Sequence, residues 1–168
     1  MEKKTVPAEF FAQGYRVSGS YTVQSRVLAD EVYDPNTNYV ALHDAYVSPI
    51  MNPARISAYY KYAIFDKANL DFILTVDSRD GLRRDQRYGL GRYAFNVFLA
   101  VPFFEISGEL RLAISKFDPR VFLSSEADAF ITLLNVVAHS TFNPEVSYEA
   151  GVALISRAKI SFLGRTSG

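Results

Sequence analysis

A mainly β fold, laid out as two similar antiparallel modules in tandem with few short helices, is predicted here by three observations. Aromatic residues are abundant, 13 Phe and 11 Tyr in 168 residues with no Trp, and aromatic and β-branched side chains suit the half-buried surface of a sheet. Several short runs alternate apolar and polar residues, the pattern of strands with one buried face. The chain also repeats itself at an offset of about 90 residues, and such self-similarity bears on the whole fold.

The repeat is read from segments that match in the same order. Tyr15-Arg-Val-Ser-Gly19-Ser-Tyr-Thr-Val23 lies over Phe104-Glu-Ile-Ser-Gly108-Glu-Leu-Arg-Leu112. Arg26-Val-Leu28 lies over Arg120-Val-Phe122, and Tyr39-Val-Ala-Leu-His-Asp-Ala-Tyr-Val47 over Phe130-Ile-Thr-Leu-Leu-Asn-Val-Val-Ala138. Asn52-Pro53 recurs as Asn143-Pro144, both turn dipeptides. Ala63-Ile-Phe-Asp-Lys-Ala-Asn-Leu-Asp-Phe-Ile73 lies over Ala153-Leu-Ile-Ser-Arg-Ala-Lys-Ile-Ser-Phe-Leu163.

Taken in order, residues 7–13 read as a short helical turn, followed by a strand centred on Gly19. A glycine in mid-strand costs packing, so Gly19 and Gly108 mark a bend or a close backbone approach. Residues 26–32 are a second candidate helical turn, and Asp34-Pro-Asn-Thr-Asn38 is a turn by composition. Lys67-Ala68 and Arg157-Ala158 read as tight corners between two strands. Because a one-residue slip would send every side chain to the opposite face, the two halves are expected to bury matching positions. These are Val17, Tyr21, Val40, Leu42, Ile64, Leu70 and Phe72, and then Ile106, Leu110, Ile131, Leu133, Leu154, Ile160 and Phe162. The expected organisation is a first repeat over 1–76, an arginine-rich linker over 77–93 and a second repeat over 94–168, with the halves packed on each other.

Each half should carry about five short strands, and a module that small escapes exposed edges best by curling into a barrel. A bent strand with a mid-strand glycine comes first, then a strand such as Phe130-Ile-Thr-Leu-Leu-Asn135, then a final pair such as Val152-Ala-Leu-Ile-Ser-Arg-Ala-Lys-Ile-Ser-Phe-Leu163. In that order of elements the halves resemble the Sm-like and SH3-like small β-barrels. The stretch Arg26-Val-Leu-Ala-Asp-Glu-Val32, with its turn and Tyr39-Val-Ala-Leu-His-Asp44, also resembles short uncharacterised bacterial domains. The resemblance implies a duplicated small barrel. The RNA-reading signature of the Sm family is missing, so no residue role carries over.

Eighteen basic residues balance eighteen acidic ones, which excludes a globally basic nucleic-acid binder but not a local basic patch. Cysteine is absent, and with it any disulfide framework, thiolate metal site or thiol nucleophile; this fits a reducing, cytoplasmic setting. No apolar leader follows the first lysines, and the longest apolar stretch is too short to span a bilayer. His43 and His139 fall in matching strand regions at different registers, with no third ligand at a recognisable spacing. The acidic residues Asp30, Glu31, Asp34, Glu126 and Asp128 sit at turns. Gly89-Leu-Gly91-Arg-Tyr-Ala94 has the glycine spacing of a dinucleotide loop but no buried strand before it. No cofactor, metal site or catalytic set is therefore expected.

Two clusters are candidates for interaction. In the linker, Arg83, Arg84, Arg87 and Arg92 interleave with Tyr88 and Tyr93, a mixture that suits phosphate contact with base stacking and equally a protein interface. Tyr59, Tyr60 and Tyr62 form the second cluster and put aromatic area on both faces of a strand. The functional expectation is a non-enzymatic binding or assembly protein, a subunit of a homo-oligomer or a larger complex. The alternative is a nucleic-acid-binding protein using the linker and the barrel faces.

Overall fold

A computed structural model describes residues 4–124 and 128–166. The mainly β character is borne out: among the described residues ten antiparallel strands form one open sheet, accompanied by two short α-helices and three single 3-10 turns. The strands are β1 (Thr5–Ala12), β2 (Tyr15–Thr22), β3 (Tyr39–Pro49), β4 (Ala58–Asp66), β5 (Leu70–Thr75), β6 (Tyr93–Val101), β7 (Phe104–Leu112), β8 (Phe130–Ser140), β9 (Ser147–Ser156) and β10 (Phe162–Arg165). Helices α1 (Leu28–Tyr33) and α2 (Pro119–Ser124) follow β2 and β7.

Residues 7–12 are strand and Gln13 belongs to the tight turn after it, so the expected helical turn over 7–13 is absent. Val6, Ala8 and Phe10 are buried between Thr5, Pro7 and the half-buried Glu9, a period of two, and β1 pairs with both β2 and β5. Pro7 is accommodated although it cannot donate to the ladder. The helical turn expected over 26–32 exists as α1, with Leu28, Ala29 and Val32 facing the core.

The sheet order is β10-β6-β7-β8-β9-β5-β1-β2-β3-β4. Its first five strands follow the same sequence of elements as its last five. Gly19 sits where the β2–β3 register shifts, and Gly108 where the β7–β8 register shifts. The residues bulged out opposite them, Asp44 and Asn135, both have left-handed φ, 52° and 50°; Asp and Asn tolerate that region better than most side chains. A methyl on Gly19 would press Leu42 and the His43 carbonyl, and one on Gly108 would press Leu133 and the Leu134 carbonyl. Bulge, glycine and neighbours correspond position by position.

Lys67 and Arg157 follow the same logic at the 3-10 corners. The Lys67 ammonium is buried and donates to the Glu31 carbonyl, to the Asp34 carbonyl at 3.1 Å and to Thr37 Oγ1 at 2.5 Å. The Arg157 guanidinium donates to the Asp128 carbonyl at 2.8 Å and to the Phe122 carbonyl. Each cation donates to main-chain carbonyls in and after the short helix of its own half.

Two apolar clusters fill the core, and each draws on both halves. Phe10, Leu42, Leu70 and Ile73 pack with Phe130, Val152 and Leu154 in one. Phe11 and Phe72 pack with Phe104, Ile131 and Ile155 in the other. The Phe11 and Phe72 rings stack at 4.3 Å, and both meet Phe104 edge-on. The halves are therefore packed on each other, as expected.

Of the positions expected to be buried, Val17, Tyr21, Val40, Leu42, Leu70, Phe72, Ile106, Leu110, Ile131, Leu133 and Leu154 are. Ile64 and Phe162 are not: they are exposed, and Ile160 is half-buried. The reason lies in the sheet order. β4 and β10 are its two edges, so the residues that their counterparts bury find nothing beside them.

Asp71, 2% exposed within β5, is a carboxylate in an apolar strand. Burial pushes its pKa up to about 6, with Lys159 opposing the rise. The folded chain thus holds this proton more tightly than the unfolded chain, whose carboxyl has its ordinary value near 3.8. Stability is full below that value and falls as pH rises through about 6. Asp71→Asn should therefore match the parent near pH 4 and exceed it by about 1–2 kcal/mol above pH 7. Urea denaturation at the two pH values checks this, and equal differences at both would refute it.

Candidate functional site

β4 is an outer strand whose side chains remain open. Among the described residues it pairs only with β3, bringing Tyr46 opposite Tyr59, Ala45 opposite Tyr60, His43 opposite Tyr62 and Ala41 opposite Ile64. Tyr59, Tyr60, Tyr62 and Ile64 are each about half exposed, and Tyr39 and Tyr46 extend the aromatic surface on β3. The Tyr59 hydroxyl donates to Asp44 Oδ1 at 2.6 Å, so the left-handed bulge residue orients that ring; this bond also raises the Tyr59 pKa. Tyr46 and Tyr59 rings lie 4.8 Å apart, and His43 and Tyr62 rings 5.4 Å apart.

Tyr39, His43, Tyr62 and Ile64 line a cavity of about 510 Å³ together with Tyr21, Arg26 and Glu31. Arg26 is held by Asp34 at 2.6 Å and Glu31 at 3.6 Å. The cavity lining therefore combines aromatic rings with paired charge. Sequence reasoning grouped Tyr59, Tyr60 and Tyr62, which lie together on β4. It missed Tyr39, Tyr46 and Ile64 as members, because only the β3–β4 register brings them alongside.

The arginine-rich segment is less open than its composition suggests. Gly81 and Leu82 are buried, and Leu82 joins the cluster that contains Phe130, Val152 and Leu154. Arg83 lies over the Tyr33 ring at 4.8 Å and faces Asp30 at 3.8 Å and Asp85 at 3.9 Å. Arg87 Nε donates to the Arg79 carbonyl at 3.0 Å, while Arg84 and Arg92 are exposed. Tyr93 begins β6 and is exposed; the Tyr88 side chain lies outside the described residues. Arg83 is thus spent on holding the segment against α1, and the cluster does not present its arginines as one row. Tyr33, which Arg83 covers, shares a 2.5 Å hydrogen bond with Thr132, and burial pushes its pKa up to about 12.

His43 and His139 are on separate strands, β3 and β8. Glu126 lies outside the described residues. Among the described residues no group of three His, Cys, Asp or Glu is placed to hold a metal ion, and no helix is long and apolar enough to cross a membrane. Comparison with protein-family models, with curated proteins and with solved structures finds no match.

Proposed function

We propose that this chain is an assembly subunit, a non-enzymatic protein made of two duplicated small-barrel modules of the Sm-like or SH3-like kind, whose task is to associate with other chains. The duplicated reading is supported by the repeated strand order and by the matched bulges at Gly19 and Gly108. The observation that carries the assembly reading is the β4 edge. Nine residues long, it exposes Tyr59, Tyr60, Tyr62 and Ile64 beside unpaired backbone, with Lys61 as its one charged residue between Ala58 and Asp66. Proteins that must stay single blunt such edges with charge, proline or a covering element, and aromatic residues are the commonest anchors of interfaces. The test is the absolute mass of the purified chain by light scattering over a wide concentration range. A multiple of the 18.8 kDa chain mass is expected; the mass of one chain at every concentration would overturn the reading.

A further inference from the structure

The two edges of the sheet are the unmatched sides of a junction that the chain already contains. Inside the sheet, β9 pairs antiparallel with β5: Phe72 faces Ile155, Ile73 faces Leu154, Leu74 faces Ala153 and Thr75 faces Val152. In the repeated order of strands, β9 corresponds to β4 and β5 to β10. The ladders fix the correspondence residue by residue. Val40 faces Phe65 as Ile131 faces Ile155, and Phe10 faces Ile73 as Leu99 faces Leu163. So Phe65, Ile64, Ala63 and Tyr62 stand where Ile155, Leu154, Ala153 and Val152 stand. Phe162, Leu163, Gly164 and Arg165 stand where Phe72, Ile73, Leu74 and Thr75 stand.

Burial divides these counterparts sharply. Val152 and Leu154 are 0% and 1% exposed, whereas Tyr62 and Ile64 are 59% and 55% exposed. Phe72 is 0% exposed and Phe162 is 53% exposed. Residues of one chemical kind are covered where β9 meets β5 and bare where β4 and β10 meet nothing.

We propose that the occupant of the β4 edge is β10 of a second copy of this chain, so that copies join head to tail and repeat the internal junction between chains. This rests on the assembly reading above and names its partner and register. The expected pairing is Phe162 with Phe65, Leu163 with Ile64, Gly164 with Ala63, and Arg165 with Tyr62 of the neighbouring copy. Each copy offers one β4 and one β10, so the contact is heterologous and the series grows until it closes on itself.

The sequence has no cysteine, so introduced thiols are the only ones present. Tyr62 and Arg165 are both exposed; replacing them removes no buried side chain, although the Arg165 guanidinium lies over the Phe95 ring at 5.0 Å. In an antiparallel pair directly opposed Cα atoms lie about 4.5–5.5 Å apart, within the range a disulfide spans. The Tyr62→Cys/Arg165→Cys chain should therefore form intermolecular disulfides on mild oxidation. Ile64→Cys/Arg165→Cys, offset by two residues, should cross-link at least about tenfold less, because the separation exceeds disulfide reach. In a second arm, Tyr62→Lys with Ile64→Lys should reduce the mass in solution to that of one chain with the β-sheet circular dichroism unchanged. Equal cross-linking by both cysteine pairs, or by neither, would overturn the proposal. A multiple-chain mass that survives the lysine pair would overturn it too while leaving the assembly reading standing; a wild-type chain that is single at all concentrations would remove both.

Discussion

Replacing Lys67 by methionine should cost the fold about 3 kcal/mol, because one buried ammonium satisfies three acceptors at once. Two of them are main-chain carbonyls, those of Glu31 and Asp34, and the third is the Thr37 hydroxyl. Methionine matches the length of the stem but leaves these half-buried oxygens without that donor, and polar groups shielded from water cost more to orphan than their bonds contribute when made. Burial lowers the Lys67 pKa, with Glu31 and Asp34 opposing the fall, so the charge already bears a desolvation cost that only these partners offset. For a chain of this size the loss corresponds to a fall in Tm of roughly 6–12 °C. Lys67→Arg should keep most of the stability, since Arg157 performs the equivalent task in the second half. Thermal unfolding of both variants decides it: a methionine variant within about 1 kcal/mol of the parent would show that the corner does not depend on the cation.

Phe72→Ala should be the more damaging change, at about 3–5 kcal/mol. The Phe72 ring is fully buried, stacked on Phe11 and edge-on to Phe104, so truncation opens a cavity at the place where both halves contribute to one cluster. Phe162→Ala removes a residue of the same type at the corresponding place in β10. There the ring touches Phe98 at 5.8 Å and is otherwise half in solvent. In single chains carrying Tyr62→Lys and Ile64→Lys, that change should cost less than about 1 kcal/mol. Urea unfolding of the two alanine variants in this background measures the contrast. Equal costs would mean that β5 and β10 are not distinguished by what lies beside them.

This contrast also marks the limit of what the sequence discloses. The alternation around Gly19 and Gly108, the Asn-Pro turns and the cationic corners were legible, because each depends on local chemistry or on period alone. Ile64 and Phe162 were misplaced because matching residues were given matching environments. An environment is set by the neighbouring strand, and the sequence does not say which strand is outermost. The β1 strand was missed for a related reason: it lies between β2 and β5, and its end, Phe10-Phe11-Ala12, is buried on both faces, which removes the alternation that would have marked it. Among the candidate site residues, the three tyrosines grouped in the sequence lie together on β4 and are exposed. The linker arginines were grouped by composition, yet Arg83 turns toward Tyr33 and Asp30, a geometry set by residues far away in sequence.

The segment that runs from the end of β5 to the start of β6 has a kinetic consequence. It ties the β9 side of the internal junction to the β5 side, so that pairing is intramolecular and takes place at an effective concentration in the millimolar range typical of short tethers. Such a contact reforms faster than any diluted partner can arrive, and dilution does not break it. A junction of the same shape between separate chains enjoys no such tether and obeys mass action. One surface design would then be permanent within a chain and reversible between chains, its occupancy set by how much of the protein is present.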